Sequence, residues 1–287
     1  MSAFPEAPLY ALDTLWLQVA GTLCNLQCAH CFVSSSPTNH SFEMMSLPEV
    51  RAYLAEAEAL GVKEYYFTGG EPFLHRDILE ILQAALALGP VTVLTNGVLM
   101  KEETASGLKR LSDGSDHSLD VRISMDGLDA ATNDAVRGAG TYGRILEGVR
   151  HLVAAGLDPV VTVTEACVGA ETTEGRARLL DLLREVGLPR PRLKVMPLLR
   201  LGAEALRTRG YEAGESLRGE TLTRADTEAL ACATGRMATA RGVYVCPILV
   251  DAPEARLGAR LQETLRPFTL EHSACYTCHV QGLSCRT

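Results

Sequence analysis

Three cysteines crowd into one short run, Cys24, Cys28 and Cys31, directly behind a β-rich stretch, Leu15–Ala20 (LWLQVA). Thiols at spacings of three and two residues can take three corners of one metal cluster. A structural zinc normally wants four ligands, so a zinc loop here would have to borrow a distant fourth. A four-iron cluster held by three cysteines instead leaves one iron open to a small molecule. Five further cysteines, Cys232, Cys246, Cys275, Cys278 and Cys285, lie at the other end of the chain, and Cys167 stands apart as a core thiol. The total of nine is odd, and the opening MSAFPEAPLYALDTLWL has neither a basic n-region nor a cleavage site. A disulfide framework is therefore not expected. Two metal sites in a cytoplasmic chain are.

Between the two cysteine groups, short β-rich runs alternate with helical patterns. Ser46-Leu-Pro-Glu49 is a capping box, followed by Val50, Tyr53, Leu54, Ala57 and Leu60 at helical spacing up to Gly61. EYYF (64–67), VTVLT (91–95), DVRIS (120–124), PVVTVT (159–164) and RLKVMPLL (192–199) read as strands. Helices are expected from Asp77 to Gly89, near 101–112, over 141–155 and over 174–186. Repeated βα units predict an α/β fold with a parallel sheet. Six units are too few for a closed eight-fold barrel, so the expectation is a partial, open (β/α)6 TIM-like barrel over 1–202. Its functional edge lies at the C-terminal strand ends. Residues 203–221 are polar and Gly-rich, a linker or lid. RMATARGVYVC (236–246) reads as a hairpin turning at Arg241-Gly242, inside a small cluster-binding domain over 222–287.

Composition narrows the function. The chain has 287 residues, 47% of them hydrophobic and 22% charged, and a net charge of −8. That is a globular composition with no basic field for nucleic acid. No apolar run is long enough to span a membrane.

Thr68-Gly69-Gly70-Glu71-Pro72 follows the second strand. Alone it is an ordinary turn. Beside the three cysteines it reads as a binding loop: the glycines let backbone approach a ligand, and carbonyls with the Glu71 carboxylate can accept from an ammonium group. Together, CNLQCAHCF and GGEP resemble the signature motifs of the radical SAM enzymes, across residues 15 to about 202. The resemblance implies a 4Fe-4S cluster on Cys24, Cys28 and Cys31 that binds S-adenosylmethionine and cleaves it to a 5′-deoxyadenosyl radical. It also implies a flavodoxin- or ferredoxin-type electron donor. Ser124-Met-Asp126-Gly127 is similar to the family's fourth-strand pattern, with Ser124 on the cofactor and Asp126 either on it or shaping the turn. Arg137 suits the methionine carboxylate. Asn96 either reaches the ribose or serves a turn. His30, before the third cysteine, packs near the adenine; Phe32 and Trp16 read as packing.

The far cysteines resemble the C-terminal extensions called SPASM and twitch domains in this family. The shortened twitch type, with two cysteines at a hairpin and a later CxxC, matches Cys232, Cys246, Cys275 and Cys278, and implies one auxiliary 4Fe-4S cluster. Zinc fits the same four thiols, and Cys285 is surplus. An auxiliary cluster can take an electron from a substrate radical, which favours net oxidation. The layout is similar to aminocyclitol dehydrogenases, implying an oxidoreductase acting on an alcohol or amino sugar. A peptide-modifying maturase, or radical decarboxylation or dehydration of a sugar nucleotide, are the alternatives, and a non-catalytic metal scaffold is a third class. Glu165, Lys194 and Arg200, near the ends of the fifth and sixth strands, are the candidate substrate and base residues.

Overall fold

The computed structural model describes residues 3–167 and 169–283; Cys285 lies outside them. The elements run β1 (Glu6–Ala7), β2 (Thr14–Gln18), α1 (Leu47–Ala59), β3 (Glu64–Thr68), α2 (Ile78–Leu86), β4 (Val91–Thr95), α3 (Glu102–Asp113) and β5 (Leu119–Ser124). They continue with α4 (Ala130–Arg137), α5 (Thr141–Ala154), β6 (Val160–Thr164), α6 (Thr173–Glu185), β7 (Arg192–Met196), α7 (Gly202–Arg207) and α8 (Arg224–Ala229). The chain closes with β8 (Gly235–Thr239), β9 (Gly242–Tyr244), β10 (Arg256–Gly258), β11 (Phe268–Thr269) and α9 (Ala274–Val280).

Strands β2 to β7 are parallel neighbours in chain order, as βα repetition demands. The sheet stays open, with β7 at one edge and β10 at the other. Helix α1 starts where its sequence says: the Ser46 hydroxyl accepts from the Glu49 amide, the Glu49 carboxylate accepts from the Ser46 amide at 2.7 Å, and Gly61 at φ +75° ends the turn. The expected sixth strand stops at Met196, because Pro197 has no N–H to continue the ladder. Helix α4 was not expected; Asp129 caps it by accepting from the Thr132 amide.

Strand alternation divides the sheet into two faces. Leu15, Leu17, Tyr65, Phe67, Val93, Ile123 and Val163 face the helices and are fully buried against Leu54, Ile81, Leu108, Ile145 and Leu179. The other face carries Trp16, Gln18, Arg122, Ser124, Thr162 and Met196 into the lumen. Trp16 stacks on Tyr66 with ring centroids 4.3 Å apart.

The C-terminal hairpin joins this sheet. Strand β8 pairs in parallel with β2, from Thr14↔Gly235 to Leu17↔Ala238, and turns back through Ala240-Arg241 into β9. The turn falls one residue earlier than expected, and Gly242, at φ +114°, begins the returning strand. Residues 203–221 open with α7 and pack down through Leu217, which is buried in the second core, and through a 2.7 Å hydrogen bond between the Tyr211 and Thr277 hydroxyls.

The glycine pair after β3 has a packing role. A Cβ on Gly70 would stand 2.1 Å from the Leu23 carbonyl oxygen and 2.9 Å from Cys24 Cβ. What approaches Gly70 closely is the cysteine loop itself, and the Glu71 amide donates to Leu23 O at 3.0 Å. Gly70→Ala must push that loop aside at a cost of about 1–3 kcal/mol. Urea unfolding should show that loss, together with reduced iron uptake; a variant of unchanged stability would contradict this packing.

Candidate active site

The loop between β2 and α1 delivers Cys24, Cys28 and Cys31 to one cavity of about 250 Å³ at the C-terminal ends of the strands. Thr68, Gly69, Gly70, Asn96, Ser124 and Arg137 line the same cavity. Of the fifteen residues expected at the two sites besides the substrate candidates, these nine meet at one place. Amide donors already face the sulfurs: Leu26 N lies 3.4 Å from Cys24 Sγ, and Ser35 N lies 3.2 Å from Cys31 Sγ. As thiols Cys24 and Cys28 are hard to ionise. Burial pushes Cys24 up to about 12, with Glu71 and the other two cysteines adding to the rise. A metal cluster reverses that balance, since ligand thiolates are formed on binding.

Glu71 and Asp126 lie behind the cavity wall, each with no exposed surface. Glu71 accepts from Thr95 Oγ1 at 2.7 Å, from Asn96 N at 2.8 Å and from Phe73 N at 3.1 Å. Its carboxylate thus ties the β3 and β4 ends together. Burial raises it to about 7 despite those donors. Asp126 holds Arg137 Nη2 and His30 Nε2, both at 2.7 Å, and accepts from the Thr164 amide and hydroxyl at 2.8 and 2.6 Å. Burial opposes its charge, but Arg137, His30 and Thr164 outweigh burial and hold it well below the usual aspartate range.

Four buried polar atoms in residues that line the cavity have no partner: Gln18 Oε1, His30 Nδ1, Ser35 Oγ and Arg137 Nε. Buried polar groups are nearly always satisfied, so these mark where a polar ligand fits. Gln18 was not anticipated. Neither was Arg122, which is 2% exposed, lines the cavity, and lies 3.4 Å from Thr162 Oγ1 and 3.5 Å from Met196 Sδ. Both are polar residues at lumen-facing strand positions, which alternation counted from Trp16 and Ser124 would have picked out.

The three substrate candidates are not brought to this cavity. Lys194 lines a separate recess with Glu64, Asp120 and Arg192 at the N-terminal strand ends, because position 194 lies two residues before the end of β7. Glu165 is exposed and accepts from the Leu198 amide at 3.2 Å. Arg200 is ion-paired with Glu215, which Arg209 also holds at 2.6 Å, so Arg200 anchors the 203–221 segment.

Cys232, Cys246, Cys275 and Cys278 meet at a second, apolar recess of about 20 Å³. The amides of Ile248 and Leu249 donate to Cys246 sulfur, and burial raises Cys246 and Cys275. Arg236 lies beside them; burial lowers it to about 10, still charged at neutral pH. Among the described residues no three His, Cys, Asp or Glu side chains gather tightly enough for a single metal ion. Thiols that ligate separate irons of one cluster stand wider apart than the ligands of one ion.

The family model of the Radical SAM superfamily matches residues 19–183, more than half of the chain and the whole of this first cavity's framework from the cysteine loop to β6. The chain belongs to the Radical SAM superfamily. Its cofactors are S-adenosylmethionine and the superfamily's 4Fe-4S cluster, and the three thiols and orphaned polar atoms of the first cavity fit them. The chain is 35% identical over 151 residues to mycofactocin maturase MftC of Mycobacterium ulcerans, covering 51% of this chain and 39% of that protein. It is 29% identical over 145 residues to the GTP 3′,8-cyclase of Peptoclostridium acidaminophilum, covering 48% and 42%. The chain thus spans well under half the length of these curated relatives. In fold it is similar to Streptococcus suis SuiB bound to S-adenosylmethionine, with TM-score 0.66, 17% identity, and coverage of 88% of this chain and 64% of that one. It is also similar to anSMEcpe with bound AdoMet, with TM-score 0.63, 16% identity and coverage of 88% and 79%. Among the described residues no helix is long and apolar enough to cross a membrane.

The Asp126 network makes a pH prediction for this radical SAM site. Asp126 is held below its ordinary 3.8, so its contribution is complete at neutral pH and is lost as pH falls through the lowered value. Asp126→Asn should therefore destabilise the protein at pH 7 by about 3–5 kcal/mol, the cost of breaking a buried pair. The gap from the parent should narrow below about pH 4. Urea unfolding across pH measures both; a gap independent of pH would refute the assignment.

Proposed function

We propose that this chain is a radical SAM oxidoreductase whose first cavity holds the radical chemistry and whose four-cysteine recess holds an auxiliary 4Fe-4S cluster of the twitch type. One observation carries the reading: the buried Ile248 lines both cavities, so the space behind Cys24, Cys28 and Cys31 adjoins the recess of Cys232, Cys246, Cys275 and Cys278. A cluster in that recess supplies an electron sink next to the substrate.

The chain's own groups have distinct tasks. Cys24, Cys28 and Cys31 ligate the first cluster. Arg137, fixed by Asp126, takes the methionine carboxylate through its remaining N–H donors. Thr68, Gly69 and Gly70 supply the backbone wall for the amino group, while Glu71 keeps Asn96 at the rim. Ser124, Thr162 and Gln18 offer neutral hydrogen bonds deeper in the lumen. Electrons arrive from a flavodoxin- or ferredoxin-type donor.

The lining also weighs the substrate classes. Among the described lining residues there is no carboxylate, and there are two arginines, Arg122 and Arg137. A substrate ammonium group finds no counter-charge there, so an alcohol, neutral or acidic, suits the cavity better than an amino sugar. A peptide is the second reading. It is favoured by the similarity to a maturase and by the fold shared with anSMEcpe, which has been solved with a bound peptide.

Anaerobic reconstitution tests the proposal. The parent should bind about eight irons per chain, and replacing Cys24, Cys28 and Cys31 by Ala should leave about four. Cys246→Ala should still cleave S-adenosylmethionine while losing substrate oxidation. About four irons with one zinc in the parent would remove the electron sink and overturn the oxidoreductase reading.

A further inference from the structure

Arg236, on β8, is the largest fully buried side chain among the described residues, at 1% exposure. All of its hydrogen-bond partners are backbone carbonyls. Nη1 donates to Cys232 O at 2.7 Å and to Gly235 O at 2.8 Å, Nε to Thr264 O at 3.1 Å, and Nη2 to Arg266 O at 2.8 Å. Four carbonyls solvate the guanidinium, but they do not neutralise it. A buried charge without a counter-charge is costly, and proteins keep one only where something offsets it. Arg236 stands beside Cys232 and Cys246, whose sulfurs become anionic only as metal ligands. One of its carbonyl partners belongs to Cys232 itself, so the same fork that carries the charge also fixes the loop that carries the first thiol of the recess.

We propose that Arg236 is the internal counter-charge of the four-cysteine site and the clamp that sets the position of its Cys232 loop. The proposal rests on the reading of that site as an auxiliary iron–sulfur cluster. Four thiolates give such a cluster net negative charge, and a fixed cation beside it stabilises the reduced state, which carries one more. Arg236 therefore raises the cluster's reduction potential and suits it to take an electron from its neighbour cavity. It is a positioning and tuning residue, not one that touches substrate. Lys at this position keeps the charge, but its single nitrogen cannot bridge four carbonyls.

The test uses the full chain with Cys24, Cys28 and Cys31 replaced by Ala, so that all cluster iron belongs to the C-terminal site. Iron and sulfide content and an EPR-monitored redox titration are the readouts. Arg236→Gln should retain iron and shift the reduction equilibrium at least tenfold toward the oxidised state, about 59 mV for one electron. Arg236→Lys should return the potential to the parent value while unfolding at a lower temperature. An unchanged potential in an iron-replete Arg236→Gln protein overturns the proposal. If the Gln variant does not fold, the Lys variant decides: parental iron and potential support the counter-charge, and failure to fold or bind iron leaves Arg236 a purely structural clamp and overturns it. A parent that binds zinc and no iron sinks the auxiliary-cluster reading, and the proposal for Arg236 falls with it.

Discussion

The buried Asp126 carboxylate is the joint on which the first cavity depends. It is reached from four directions: His30 from the cysteine loop, Arg137 from the end of α4, Thr164 from the end of β6, and its own backbone at the end of β5. The Asn133 side chain closes the set by accepting from the Asp126 amide at 3.1 Å. A buried ion pair of this sort adds little net stability over an apolar replacement. What it supplies is position. Arg137 cannot swing away without leaving an unpaired charge behind, and the cysteine loop cannot drift without breaking the bond to His30. Glu71 does the same for the neighbouring strand ends with neutral donors from Thr95, Asn96 and Phe73. Glu71, which the motif reading placed on the ligand, and Asp126, which it placed either on the ligand or in the turn, thus lie one layer behind the cavity wall.

That difference shows what a linear motif can carry. Cys24, Cys28, Cys31, Gly69 and Gly70 could be placed together from residue type and strand-end position, and Ser124 and Arg137 through the resemblance to the radical SAM motifs; all seven line one cavity. The direction in which each side chain points was not. Glu71 and Asp126 face inward because both donors and space lie there, and those donors come from residues 24 and 38 positions further along the chain. Arg200 and Lys194 fail for a similar reason. Arg200 is neutralised by Glu215, a partner in a segment with no periodic pattern, and Lys194 sits too early on β7 to reach the strand's C-terminal end. Gln18 and Arg122 were readable in principle, since a polar residue on the lumen side of a buried strand needs a reason to be there.

Fold class and element order were recoverable from periodicity, capping and glycine stops, as α1 shows. Helix α4 was hidden because its apolar content is slight and its cap, Asp129, sits inside what reads as the Asp-Gly turn region. The parallel union of β8 with β2 was out of reach, because no local signal pairs residues separated by some 220 positions. It decides much of the architecture. A hairpin on a tether would leave the second set of cysteines free to move; a hairpin built into the barrel sheet fixes them against the first cavity.

On the proposed reading of the four-cysteine recess, that fixed relation bears on how an electron would pass between the two cavities. Ile248, together with Met237 on β8 and Leu283, closes the first cavity on the side of the hairpin, and all three are buried. These side chains are apolar, and Ile248 borders the four-cysteine recess as well. An apolar boundary of this kind gives a proton no polar group to pass along. The charge that such a transfer would deposit arrives next to Arg236, whose four carbonyl bonds already hold it in place before any electron moves. Preorganised charge of this kind costs no rearrangement at the moment it is needed. Proton and electron would then leave the substrate by different routes, the one through polar groups in the barrel lumen and the other through Ile248, which is the separation that a two-electron oxidation by way of a radical requires.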